Sequence, residues 1–68
     1  MTLRLNGEAV EVPDGVTVSE LLAHLGRDPS VESIAVAHNL NVVPREEHPT
    51  RNLAEGDRVD IVTAVGGG

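Results

Sequence analysis

Apolar and polar residues alternate at the start of the chain. Leu3 and Leu5 face one way, and Thr2, Arg4 and Asn6 the other. That period of two predicts a half-buried strand. Asn6-Gly7 follows, the strongest short hairpin signal, because a type I′ turn requires φ > 0 at both central residues. Glu8 to Val12 then returns as a second strand with Val10 and Val12 inward, and Pro13-Asp14-Gly15 breaks it. The period next changes. Val18, Leu21, Leu22 and Leu25 fall at i, i+3, i+4 and i+7, which predicts one apolar helix face. Thr17 is the N-cap and Glu20 the third helical residue, a capping box. Gly26 suits the C′ position that ends the helix, and Asp28-Pro29 opens a loop.

Alternation resumes from Ile34 to His38, with Ile34 and Val36 on one face and Ala35 and Ala37 on the other. Asn39-Leu40-Asn41 reads as a turn, and Val42-Val43 as a short strand ended by Pro44. Residues 45 to 57 are polar around one apolar anchor, Leu53, and close with the turn Glu55-Gly56-Asp57. Arg58 to Val65 is the last strand, with Val59 and Ile61 inward. The order is hairpin, helix, strand, short strand, strand. One amphipathic helix covers one face of one mixed sheet, a two-layer α+β fold. The first and last strands, both apolar, are expected to be central and parallel. Residues 1–65 form the domain and 66–68 a flexible glycine tail.

Composition narrows the function. At 68 residues the core is thin, because folding buries only roughly 60% of the unfolded surface at this size. The chain has no cysteine, so it forms no disulfide and offers no thiolate. It has no aromatic residue and a net charge of −6. Both argue against nucleic acid as a ligand, since stacking platforms and cationic surface are missing. An acidic surface instead suits a basic patch on a protein partner. No run approaches the ~20 apolar residues of a membrane span, and the opening residues read as a strand rather than a signal peptide. These features predict a cytoplasmic protein. All five basic residues are arginine, so the chain carries no ε-amine.

No self-contained active site emerges. His24, His38 and His48 share no metal-ligand spacing and read as surface histidines. Glu46-Glu47 reads as a solvated pair, and Ser19 and Ser33 have no catalytic neighbours. No catalytic residue and no metal ligand is assigned. Two features remain. One is the terminal Gly66-Gly67-Gly68, a narrow stalk free of side chains. Its α-carboxylate, of reference pKa about 3.3–3.7, is ionised at neutral pH and slim enough to thread into another protein's active site. The ordinary reading of such an end is fraying. The other feature is a sheet face turned away from the helix, where Arg4, Ala9, Ala35, Ala37, Asp60, Val62 and Ala64 are placed. Its small apolar centre, with Val62, Ala64, Ala35 and Ala37, fits a docking surface. Its ordinary reading is alanine on a solvated sheet.

Several segments follow in a telling order: Leu5-Asn6-Gly7-Glu8, Thr17-Val-Ser-Glu-Leu-Leu22, Ile34-Ala-Val-Ala37, Val42-Val-Pro-Arg45, Glu55-Gly-Asp-Arg-Val59 and a di-glycine end. Together they resemble the ThiS family, small sulfur carriers of thiamin biosynthesis with a ubiquitin-like β-grasp fold. The resemblance implies that Gly68 is adenylated by a ubiquitin-activating-enzyme-like adenylyltransferase (ThiF-like) using ATP and Mg²⁺, neither bound by this chain. A persulfide sulfur donor then converts the end to a thiocarboxylate, which gives its sulfur to thiazole synthase (ThiG-like). In this reading the chain is a protein co-substrate and not an enzyme, with Gly67 and Gly66 recognised as the tail. Two departures from the family pattern stand out. The end has three glycines where two are usual, and His48 stands where many relatives have an aromatic residue. Carriers for molybdopterin, tRNA thiolation or cysteine synthesis share the same terminal chemistry. A ubiquitin-like modifier and a plain interaction domain are the alternatives from other classes.

Overall fold

The computed structural model describes residues 1–63. Five strands and one helix occur in the expected order: β1 (Thr2–Leu5), β2 (Glu8–Glu11), α1 (Val18–His24), β3 (Ile34–His38), β4 (Asn41–Val42) and β5 (Arg58–Thr63). A 3₁₀ turn, Arg45–Glu47, lies between β4 and β5. The sheet order is β2-β1-β5-β3-β4. β1 and β5 pair in parallel, Arg4 opposite Arg58 and Leu5 opposite Val59. The other pairs are antiparallel. This is the mixed α+β sheet of the β-grasp arrangement, with β5 at its centre. The expected residues Ala64 and Val65 of the last strand lie outside the described residues.

Local chemistry accounts for the elements. Asn6 and Gly7 take φ of +48° and +87°, as the type I′ hairpin turn requires. Thr17 Oγ1 accepts the Glu20 N–H at 3.1 Å, and Glu20 Oε1 accepts the Thr17 N–H at 2.8 Å, so the capping box closes. At the other end the Gly26 N–H donates to Ala23 and the Arg27 N–H to Leu22, the paired bonds of a Schellman motif. Gly26 supplies the left-handed residue, φ +73°.

The helix buries Val18, Leu21 and Leu22 against Leu3, Val36 and Val59 of the sheet. Val12, Val16, Val43 and Leu53 complete the core, with Val10, Ile34 and Ile61 packed half-buried at its margin. Leu25 departs from expectation. It is the C-cap residue and remains 38% exposed. At that position the helix gives way to the left-handed Gly26.

His48 is a second correction. It is 3% exposed rather than a surface residue. Pro44 and the 3₁₀ turn fold the chain back, and the Ser19 N–H donates to the His48 carbonyl at 3.0 Å. The imidazole therefore fills space beneath the turn. Its Nε2 lies 3.3 Å from the Val43 carbonyl, and Nδ1 is buried with no partner among the described residues. His38 is no free surface group either. Its Nε2 meets Asp57 Oδ2 at 2.6 Å with only 12% of the side chain exposed. His24 is exposed as expected. The short strand β4 comprises Asn41 and Val42. Val43 has turned into the core, and its N–H donates to Val36.

Candidate carrier site: sheet face and tail root

β5 presents two different faces. Val59 is fully buried and Ile61 half-buried toward the helix, whereas Val62 points away and is 63% exposed. The register extends that outward face across the sheet. Ala35 pairs with Val62, Ala37 with Asp60, and Val42 with Ala37. Alternation of side chains across a strand then places Val62, Ala35, Ala37 and Val42 on one surface. Ala35 is exposed and Ala37 half-buried. The expected patch is thus brought together except for Ala64, which lies outside the described residues. Val42, 75% exposed, belongs to the patch and was not named from sequence. The short run Val42-Val43 gave no reliable parity; only the pairing of Ala37 with Val42 assigns it.

Charge borders the apolar centre. Arg4 lies opposite Ala9 on the β1–β2 side. Arg58 Nε donates to Asp60 Oδ2 at 2.8 Å along β5. A shallow depression of about 220 Å³ lies beside the end of β5, lined by Ser33, Ile34, Ala35 and Val62. Its lining is mostly apolar, which suits a side chain from a partner rather than an ionic ligand. Among the described residues no group of three or more potential metal ligands occurs. No helix among them is long and apolar enough to cross a membrane.

The root of the tail is held by side chains that sequence reading did not single out for this purpose. Asn6 reaches the backbone of Ile61, accepting its N–H at 2.7 Å and donating to its carbonyl at 3.3 Å. Arg27, just past the helix, donates to the hydroxyl of Thr63. Asn6 was legible as a turn residue only. Nothing in its spacing indicates that its carboxamide crosses to a strand more than fifty positions away. Gly66, Gly67 and Gly68, the expected tail and reactive end, lie outside the described residues.

The opposite end of β5 is locked by a polar cluster. Asp57 accepts His38 Nε2 at 2.6 Å, the Ala54 N–H at 2.9 Å and Asn39 Nδ2 at 3.3 Å. Asn39 Oδ1 accepts the Arg58 N–H at 2.9 Å. Burial pushes the Asp57 carboxyl up, but the hydrogen bonds from His38, Ala54 and Asn39 outweigh it and hold it below its ordinary value. No nucleophile adjoins this cluster among its hydrogen-bond partners, so its chemistry is that of a strut between two turns.

Comparison with known proteins gives consistent likenesses. The ThiS family model matches residues 3–68. The chain is 37% identical over 68 residues to the thiazole synthase of Paramagnetospirillum magneticum, and 38% identical to that of Magnetococcus marinus. Each alignment covers all of this chain but spans only 20% of the relative's length. It is 32% identical to the sulfur carrier protein ThiS of Escherichia coli, over the full length of both. The crystal structure of the thiamine biosynthesis protein ThiS from Geobacter metallireducens superposes with a TM-score of 0.85, at 30% identity and full coverage of both chains. The solution structure of a thiamine biosynthesis protein from the same organism gives 0.80 at 31% identity, covering all of this chain and 88% of the other.

Proposed function

The chain belongs to the ThiS family, and from that premise we propose that it carries sulfur as a thiocarboxylate on Gly68. A carboxylate is a poor acyl donor, so the proposed reaction begins by activating it. The Gly68 carboxylate attacks the α-phosphate of ATP in an adenylyltransferase and expels pyrophosphate, leaving an acyl-adenylate. ATP and Mg²⁺ belong to that partner. The terminal sulfur of a persulfide then attacks the acyl carbon and displaces AMP, which forms an acyl disulfide. A thiol attacks the outer sulfur of that disulfide. It becomes oxidised to a new disulfide and releases the thiocarboxylate. The chain contributes the reacting carboxylate, a slim tail at Gly66 and Gly67, and a docking face.

The observation that carries this reading is the family match that runs through to Gly68, on a chain whose last described strand is central in the sheet. A central strand is paired on both sides, by β1 and by β3, and makes a firm base for the residues that follow it. The outward patch of Val62, Ala35 and Ala37 is proposed to receive the adenylyltransferase. The likeness to two thiazole synthases supports delivery of the sulfur to a thiazole synthase, with thiamin biosynthesis as the pathway. The test is incubation with ATP, Mg²⁺ and the cognate adenylyltransferase. An acyl-adenylate on Gly68 is expected, and deletion of Gly67-Gly68 abolishes it. A truncated protein that is still adenylated overturns the assignment.

A further inference from the structure

Two side-chain contacts converge on the final described residues of β5. On the β1 side the parallel ladder runs from the Arg4 N–H to the Asp57 carbonyl and from the Asn6 N–H to the Val59 carbonyl, both at 2.9 Å. The chain then turns, with Asn6 at φ +48°. The next rung is made by the Asn6 side chain, whose carboxamide takes both the N–H and the carbonyl of Ile61, at 2.7 and 3.3 Å. A carboxamide has the donor and acceptor of a peptide group, so it substitutes for one more residue of strand.

On the helix side, Arg27 Nη2 donates to Thr63 Oγ1. The backbone of Arg27 is fixed by its Schellman bond to Leu22, at 2.8 Å. Its Nη1 lies 3.4 Å from Glu32 Oε1, and the other Glu32 oxygen accepts the Asp28 N–H at 3.1 Å. The guanidinium thus bridges the helix end, the following loop and the end of β5.

We propose that Asn6 and Arg27 are positioning residues for the terminal chemistry: together they fix the end of β5, at Ile61 and Thr63, from which the terminal residues are offered to a partner. The inference rests on the carrier reading of Gly68. Few residues separate Thr63 from Gly68, so the position of Thr63 sets the point from which a partner draws the reacting carboxylate to its nucleotide. Misplacement of a reacting group by about 1 Å costs as much as about 100-fold in rate. The Asn6 bonds are exposed and the Arg27–Thr63 bond is half-buried. Their loss is expected to be felt in the rate of carboxylate activation more than in folding.

The experiment measures adenylation kinetics with the carrier as varied substrate. The proteins are wild type, Asn6→Gly, Thr63→Val, Thr63→Ser and the double variant Asn6→Gly/Thr63→Val. Glycine keeps the positive φ of the turn while deleting the carboxamide. Valine removes the acceptor hydroxyl, and serine restores it. Asn6→Gly and Thr63→Val are each expected to lower kcat about tenfold or more with little change in KM, because the docking face is intact. Thr63→Ser is expected to match wild type, and the double variant to be slower than either single one. Ile61 amide exchange is expected to accelerate in Asn6→Gly, a readout independent of activity.

Wild-type kcat in both single variants overturns the proposal while leaving the carrier reading standing. So does a Thr63→Ser defect as large as that of Thr63→Val, a loss confined to KM, or unchanged Ile61 exchange in Asn6→Gly. Absence of adenylation in the wild type overturns the carrier reading and the positioning role with it.

Discussion

Asp57 is one side chain through which the fold is linked to acid. Three donors converge on its carboxylate, and its pKa is held below the ordinary value of 3.8. A carboxyl whose folded pKa is depressed binds protons more readily when unfolded. Its stabilising contribution is therefore complete above the ordinary value and is lost as pH falls through the folded value. Chemical denaturation across pH is expected to show a drop in stability below about pH 4 that Asp57→Asn flattens. The same variant is expected to cost about 1–3 kcal/mol at pH 7, since an amide keeps only one acceptor oxygen and loses the charge, leaving a donor of the cluster unmatched. An unchanged acid limb in Asp57→Asn contradicts this role. Neither this strut nor the burial of His48 was legible in the sequence. A histidine in a polar run carries no periodicity to report its burial. Its place under the 3₁₀ turn is set by Pro44 and by the bond from Ser19, contacts made only in the folded chain.

Elements were more legible than single residues, because repetition averages over local exceptions. The Thr17–Glu20 capping box, the Asn6-Gly7 turn and the Gly26 stop each combine a residue type with a backbone requirement, and each forms as read. Leu25 matches the apolar period but sits at the C-cap, next to the Gly26 stop, and stays 38% exposed. β4 was misplaced by one residue because two adjacent valines have no alternation, and they part, Val42 outward and Val43 into the core. β5 alternates clearly, and its faces are as expected. Val62→Arg is thus expected to fold with little change in thermal stability, because a surface substitution away from special features costs little. It is expected to weaken binding to the adenylyltransferase. Leu21→Ala, at a fully buried helix position, is expected to cost about 2–5 kcal/mol, and Ile61→Ala less because Ile61 is half-buried. Thermal denaturation paired with binding measurements checks the set. Normal folding and normal binding of Val62→Arg removes the docking face from the account.

For the whole molecule, the proposed role is that of a carrier on which other proteins act. A thin aliphatic core holds a five-stranded sheet, and its central strand, β5, is the last described element before the glycines on which the proposed chemistry depends. The central place and parallel pairing of β1 and β5 followed from element order and apolar character, whereas the places of β3 and β4 in the sheet did not. The contacts at the tail root did not, since they join Asn6 and Arg27 to residues far along the chain. A slim tail makes a specific demand. Gly67→Val is expected to leave folding nearly unchanged and to block activation, because a β-branched side chain widens the stalk and restricts its backbone. Activation of that variant at the wild-type rate, followed by release of pyrophosphate, contradicts a narrow-channel requirement. The central claim is the sulfur itself, and intact-protein and tandem mass spectrometry test it most directly. After reaction with ATP, the adenylyltransferase, a persulfide donor and a thiol, the account predicts one oxygen of the Gly68 carboxylate exchanged for sulfur. A terminus that is adenylated and then returns only as carboxylate, or sulfur found anywhere but Gly68, contradicts it.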